Sequence, residues 1–325
     1  MIHFSQLRRH LPEFSDAWLK PLDECARDYV RYYDINFDEK IAGLTQSIGC
    51  MQSADFELVV QSFILSTQAP TIFACHGYFD HSGLYGKLIE WGLKRGYNLI
   101  LFDLPGHGLS SGSRASIDSF DSYIEALNSL VLWCSPRLLG DKLLLGQSTG
   151  AAVVMSYLMT KPNNIQHAVL LAPLVRPHKW SRIKWLHRIV RPFLSRLPRT
   201  FTDNSHDEDF LRRLKMSDPL QCRTQSIRWV TAMSQWMRWF LTLKPVSNTV
   251  LVIQGTADLT VDWRYNLHII GSKFPRASIV KIDNMRHHVV GEHVYYREQV
   301  FASIDSYLYK KSATETHNGA AQIKG

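Results

Sequence analysis

The sequence predicts an α/β protein with a mostly parallel central sheet, helices on both faces and a helical cap inserted into it. Three observations carry this. Short apolar runs alternate with helix-spaced segments along most of the 325 residues, and strands built continuously from Val, Ile and Leu belong to a parallel sheet buried on both faces. The alternation stops at Leu174 and resumes after Val246. Finally, Leu143-Leu-Leu-Gly-Gln-Ser148-Thr-Gly150 places Gly-x-Ser-x-Gly where an apolar strand gives way to a helical segment, the signature of a serine held on a sharp strand-to-helix turn.

In chain order, residues 1–44 form an N-terminal helical segment, with apolar residues at helical spacing over 16–33. Residues 45–51 and 57–65 are expected as an antiparallel pair leading into the sheet. Strands follow at 71–75, 97–102, 142–145, 167–171, 250–254 and 278–282, and helices at 85–95, 119–134, 151–160, 263–273 and 295–309. The core is thus 45–173 with 247–310, the cap is 174–246, and the polar residues 311–325 are expected to be disordered.

Composition bounds the function. An apolar content of 45% supports a large core. The longest apolar runs fall short of the roughly 18 residues of a membrane span, and Met1–Pro12 lacks the apolar stretch of a signal peptide. The five cysteines are scattered, with no Cys-x-x-Cys, so neither a zinc site nor a disulfide framework is indicated; reduced thiols in the cytoplasm are expected. Net charge is +8, but the cap alone carries fifteen Lys/Arg against five Asp/Glu. No nucleic-acid motif accompanies that charge, so nucleic acid is not an expected partner.

By composition a Gly-x-Ser-x-Gly would occur roughly 0.1 times in such a chain, so the motif needs partners. A serine hydroxyl becomes a nucleophile when a base takes its proton and a third group orients the base. In strand-elbow enzymes these follow in the order Ser, Asp/Glu, His. Asp258 lies just past the strand 250–254, on the ligand-binding edge of the sheet. After 278–282 come Asp283 and the pair His287-His288. Either histidine could be the base, and Asp283 is a substitute acid in a poorer position. Asp103, also strand-terminal, precedes Ser148 and is read as structural. An oxyanion needs preorganised N–H donors: the Thr149 amide follows the nucleophile directly, and the Tyr78 amide follows the strand 71–75 in Cys75-His-Gly77-Tyr78. Gly77, Phe79 and Gln147 are the candidate substrate-binding residues. This chemistry requires no metal or organic cofactor.

Five stretches together resemble an α/β-hydrolase of the monoacylglycerol lipase and lysophospholipase branch, grouped with serine aminopeptidase-like proteins. They are His76-Gly-Tyr-Phe-Asp-His81-Ser-Gly-Leu-Tyr85, Asp103-Leu-Pro-Gly-His107-Gly-Leu-Ser110, Gly146-Gln-Ser148-Thr-Gly150, Gly255-Thr-Ala-Asp258-Leu-Thr-Val261 and His287-His-Val-Val-Gly-Glu292. In that branch the catalytic histidine is followed five residues later by glutamate, which selects His287 over His288. The chain departs from the branch at Gln147 and Thr149, where His and Met are usual, and at Tyr78-Phe79-Asp80, where small residues are common.

The resemblance implies a serine hydrolase cleaving a lipid carboxylic ester, a lysophospholipid or monoacylglycerol, through an acyl-enzyme on Ser148 with His287 as base and Asp258 as its orienting acid. An aminopeptidase, thioesterase or general carboxylesterase of the same fold is the first alternative, and a non-catalytic binding protein the second. Dehalogenases and epoxide hydrolases would carry aspartate at the elbow. The cap has two readings. Trp180, Trp185, Trp229, Trp236 and Trp239 could be its core, or an amphipathic lid could rest on lipid with Arg/Lys toward phosphates. The second places the protein peripherally at the inner membrane face.

Overall fold

The computed structural model describes residues 4–165 and 167–322. Three short helices open the chain: α1 (Phe4–Leu7), α2 (Phe14–Ala17) and α3 (Glu24–Tyr32). The single helix expected over 16–33 is broken because Leu19 takes a left-handed φ of 55° and Pro21 lacks the N–H a continuing helix needs. The chain restarts on Asp23, whose carboxylate accepts from the Ala26 amide at 2.8 Å and caps α3.

Strands β1 (Thr45–Ser53) and β2 (Phe56–Ile64) then form the expected antiparallel hairpin, with Thr45 opposite Ile64 and Ser53 opposite Phe56. Next come β3 (Thr71–Cys75), α4 (Gly86–Lys94), β4 (Asn98–Phe102), α5 (Asp121–Cys134), β5 (Lys142–Gln147), α6 (Thr149–Thr160) and β6 (His167–Leu171). The cap follows: α7 (Trp180–Val190), a two-stranded ribbon of β7 (Arg196–Pro198) and β8 (Thr224–Ser226), α8 (Glu208–Arg212) between those strands, and α9 (Ile227–Thr242). The chain re-enters the sheet with β9 (Thr249–Gly255), α10 (Trp263–Lys273), β10 (Ser278–Ile282) and α11 (Val294–Gln322). Residues 311–322, expected as a disordered tail, continue α11; no proline intervenes and Lys, Ala, Glu and Gln are good helix formers. Residues 323–325 lie outside the described residues.

The eight-stranded sheet has the order β1-β2-β4-β3-β5-β6-β9-β10. β1–β2 and β2–β4 are antiparallel, and all later pairs are parallel. Alternate residues of one strand serve opposite faces. Phe73, Leu144, Ala168 and Val252 pack toward α5, α6 and α9; Ile72, Leu145, Val169 and Leu251 pack toward the N-terminal helices and α4. Because β3, β5, β9 and β10 run parallel, the loops at their C-terminal ends converge on one edge. Four stretches of the site lie on those loops.

Candidate active site

The elbow after β5 places Ser148. Its backbone sits at φ 54°, ψ −113°, a region costly for any residue but glycine. The flanking glycines leave no choice there. A Cβ on Gly150 would lie 2.1 Å from the Cys75 carbonyl oxygen, and one on Gly146 would lie 2.5 Å from the Gly150 backbone. The Ser148 amide donates to Leu171 O at 2.9 Å, tying the turn to β6.

Ser148, Asp258 and His287 come together, all buried. His287 Nδ1–H donates to Asp258 Oδ2 at 2.7 Å, leaving Nε2 to accept from the Ser148 hydroxyl at 3.0 Å. Asp258 Oδ1 accepts from the amides of Thr260 (2.8 Å) and Val261 (3.1 Å), and Oδ2 also accepts from Gln254 Nε2 (3.0 Å). Burial alone would raise the Asp258 pKa, but the His287 charge and these donors outweigh it and hold the group ionised, below its ordinary value. Burial likewise works against a charged His287; the Asp258 carboxylate overcomes it and lifts the imidazole pKa above 6.5. Asp283 is exposed on the β10 loop. Asp103 accepts from the Ser82 and Leu109 amides at 2.7 and 2.8 Å, which pins two loops and fits a structural role.

Gly77 passes close to Ser148: a Cβ on it would be 3.5 Å from Ser148 Cβ. Among the described residues neither the Tyr78 nor the Thr149 amide has a protein acceptor. Both residues line the cavity above Ser148, the arrangement an oxyanion hole needs. Gly77, Phe79 and Gln147 line it too. Gln147 Oε1 also accepts from the Val290 amide at 3.1 Å, so the residue standing in for the usual histidine bridges the elbow and the His287 loop.

The tripeptide that departs from the family pattern contacts three distant segments. Tyr78 stacks on Trp229 of α9 with centroids 3.7 Å apart, and its hydroxyl donates to Ala115 O at 2.7 Å. Phe79, at φ 71°, lies 3.9 Å beneath the Arg199 guanidinium. Asp80 Oδ1 accepts from His288 Nε2 at 3.1 Å and Oδ2 from the Tyr85 hydroxyl at 3.3 Å. Tyr85 Oη in turn accepts from the Gly77 amide at 3.1 Å. His288 is therefore linked through Asp80 and Tyr85 to the Gly77 amide, and among the described residues it makes no hydrogen bond to Ser148. A third buried pair joins core to cap: His81 Nε2 lies 3.0 Å from Asp218 Oδ2, whose other oxygen accepts from the Tyr33 hydroxyl at 2.7 Å.

Glu292, picked out by its spacing from His287, does not touch the triad. It accepts from the His206 amide (2.7 Å) and ring (2.8 Å) and from the Arg286 amide (3.0 Å). It fastens the loop of His206 beside the segment that carries His287. Neither Arg199 nor the Asp80–His288 pair was identifiable from motif spacing; the unusual Tyr-Phe-Asp tripeptide was their one sequence signal. Among the described residues, no cluster of three or more His, Cys, Asp or Glu is arranged to hold a metal ion.

The cavity has a volume of about 400 Å³. Its lining includes the apolar Leu174, Ile183, Leu186, Val190, Val230 and Met233 and the polar Arg199, Thr200, Thr202, Asn204 and Lys215.

Comparison with known proteins agrees with this architecture. Residues 67–293 match the family described as serine aminopeptidase, S33. The chain is 27% identical over 266 residues to the monoglyceride lipase of Homo sapiens, covering 76% of this chain and 85% of that protein. Its fold is similar to the crystal structure of Paleococcus ferrophilus monoacylglycerol lipase: TM-score 0.66, 24% identity, 78% of this chain and 98% of that one. It is also similar to a soluble variant of the Saccharomyces cerevisiae monoglyceride lipase in complex with a substrate analogue: TM-score 0.69, 16% identity, 82% and 96%.

Proposed function

The chain belongs to the serine aminopeptidase S33 family of α/β-hydrolases, and from that premise we propose that it hydrolyses single-chain lipid esters, monoacylglycerols or lysophospholipids, through an acyl-enzyme on Ser148. The observation that carries this is the continuous hydrogen-bonded line from Asp258 through His287 to Ser148, opening onto a cavity lined by many apolar side chains. Such a lining suits an acyl chain.

His287 Nε2 takes the hydroxyl proton as Ser148 Oγ attacks the ester carbonyl. Asp258 holds the tautomer and stabilises the imidazolium that forms. The Tyr78 and Thr149 amides receive the oxyanion. The tetrahedral intermediate collapses, the alkoxide leaves with the proton from His287, and water, activated by the same imidazole, releases the fatty acid and restores the serine. The acyl chain lies along α7 and α9, with Gly77, Phe79 and Gln147 bounding the ester. An aminopeptidase reading is weaker. Among the described residues the one carboxylate lining the cavity, Asp80, is already engaged by His288 and Tyr85, so no free carboxylate is left to receive an α-ammonium group.

The cap supports peripheral contact with a cytoplasm-facing membrane surface. No helix among the described residues is long and apolar enough to cross a membrane. α7 nevertheless has no buried residue. Trp185 is 65% exposed and Phe193, just beyond the helix, 82%. Arg182, Lys184, Arg188 and Arg191 flank them, exposed, and no Asp or Glu occurs from Leu174 to Thr202. Exposed aromatics among unopposed cations suit an anionic bilayer surface.

Two measurements test the proposal. A fluorophosphonate probe should label wild type at Ser148 and leave Ser148→Ala unlabelled. A panel of monoacylglycerol, lysophospholipid, acyl thioester and amino-acid anilide should show turnover of the first two. Turnover of anilides alone would transfer the protein to the peptidase reading.

A further inference from the structure

The lining of the cavity holds a cation whose partners are incomplete. Arg199 follows β7, half-buried, with its guanidinium 3.9 Å from the Phe79 ring and 4.3 Å from the Phe201 ring. Its protein hydrogen bonds both use Nη1, to Gln221 Oε1 at 2.7 Å and Cys222 O at 3.1 Å. Among the described residues Nε and Nη2 have no acceptor, and no carboxylate lies within ion-pair distance. The two nearest in charge, Asp80 and Asp218, are occupied, one by His288 and Tyr85 and the other by His81 and Tyr33. Burial destabilises the charged form enough to bring the Arg199 pKa down to about 10, with Asp80 partly offsetting that. At neutral pH the group stays cationic and under-solvated, with a free donor edge beside the cavity.

Its position is tied to the reacting centre. Phe79, the ring beneath it, is the residue after Tyr78 and two after Gly77, which packs on Ser148. Thr200, Thr202 and Asn204 add hydroxyl and amide groups to the lining of the same cavity, as does Lys215, ion-paired to Asp203 at 2.7 Å. An uncharged glycerol would leave this desolvated cation without a counter-ion. A phosphate would supply oxygen acceptors matched to the guanidinium's planar fork.

We infer that Arg199 is a specificity-determining residue that reads a phosphate on the leaving alcohol, so that the substrate class is a single-chain glycerophospholipid rather than an uncharged monoacylglycerol. This rests on the ester-hydrolase reading of Ser148. The experiment compares kcat/KM for 1-oleoylglycerol 3-phosphate and 1-oleoylglycerol in the same neutral micelles, for wild type, Arg199→Lys and Arg199→Met. Wild type should favour the phosphate ester. Arg199→Met should lower the preference ratio by roughly tenfold to a hundredfold, and Arg199→Lys, which keeps charge without the fork, by less.

A wild-type preference for the uncharged ester, or an unchanged ratio in Arg199→Met, overturns the inference. If Arg199→Met fails to fold, wild type still decides it. Glycerol 3-phosphate should inhibit nitrophenyl butyrate hydrolysis well below the concentration at which glycerol does, and equal potency refutes phosphate recognition. Absence of any Ser148-dependent turnover, of either lipid or of nitrophenyl butyrate, instead defeats the ester-hydrolase reading and takes this inference with it.

Discussion

The sheet edge that carries the triad and the cap that covers it are built on opposite rules. On the edge, the three groups proposed to react are each fixed by several backbone and side-chain contacts. Ser148 is forced out by a turn only glycines can flank, Asp258 is held by the two amides that follow it, and His287 is held between them. In the cap, α9 is deeply buried, while α7 lies nearer the surface, packing Trp180 and Ile183 on the core and joining α9 through His187 Nε2 and the Thr231 hydroxyl at 2.8 Å. Trp236 of α9 is buried, donates to Ser156 Oγ at 2.8 Å and stacks on Phe120 with centroids 5.1 Å apart. α7 buries nothing completely, and it starts from Lys179 in a left-handed conformation at φ 53°. The groups proposed to do the chemistry thus sit on the more deeply buried part, and the cap segment over the cavity is the more exposed one.

Breaking the rigid half should cost the most. Ser148→Ala should lower kcat on nitrophenyl butyrate by about 10⁴ to 10⁶ with Tm nearly unchanged. A residual activity within tenfold of wild type would place the nucleophile elsewhere. Asp258→Asn should cost about 10⁴ in kcat, and it carries a pH signature. His287 works as a base only when neutral, and Asp258 holds its pKa above 6.5. Wild-type kcat/KM should therefore rise with pH through an apparent pKa above that value and decline as pH falls below it. In Asp258→Asn the acid limb should move to lower pH, because burial then acts on His287 without the opposing charge. A limb that stays in place would separate it from His287.

This contrast also explains what could be read in advance. Continuous Val/Ile/Leu strands announce a two-faced sheet, so the fold class was legible one segment at a time; the elbow, acid and base follow in a fixed order that pointed to Ser148, Asp258 and the pair His287-His288, and only the family resemblance chose His287, the one the structure sets beside Ser148 and Asp258. The lid was not legible, because its contacts join residues far apart in sequence. Tyr78 meets Trp229, Phe79 meets Arg199 and Asp80 meets His288; nothing local to the tripeptide names those partners. The five cap tryptophans looked alike in sequence, yet Trp229 and Trp236 are buried, Trp180 and Trp239 are partly buried, and Trp185 points outward. Helical spacing missed the break before α3 because a proline and one left-handed residue outweigh periodicity.

The anchored face of the cap offers the next test. Trp236→Ala removes a buried ring from between Phe120 and Phe240 and leaves the Ser156 hydroxyl without its indole donor. Truncations of this size in a core cost about 3 to 5 kcal/mol. Differential scanning calorimetry should show a clear fall in Tm. A change under about 1 kcal/mol would mean that α9 is not part of the cooperative core.

The smallest effect is expected on the free face, and its direction separates the two halves of the cap. Replacing Trp185 and Phe193 together by Ser removes apolar surface that is already in water, 65% and 82% exposed, so stability should change by no more than about 0.5 kcal/mol. Neither side chain lines the cavity, so turnover of a water-soluble nitrophenyl ester should hold within about twofold, because an exposed surface change away from such features is near neutral. Binding to vesicles containing anionic lipid is what should change. Two interfacial aromatics each contribute on the order of 1 kcal/mol, so cosedimentation should weaken by roughly tenfold or more. Raising the salt concentration should weaken wild type further by screening the flanking arginines. A double variant that binds vesicles as wild type does would leave the exposed ring pair without a membrane role, and one that loses several kcal/mol of stability would show that α7 is packed more firmly than its exposure implies.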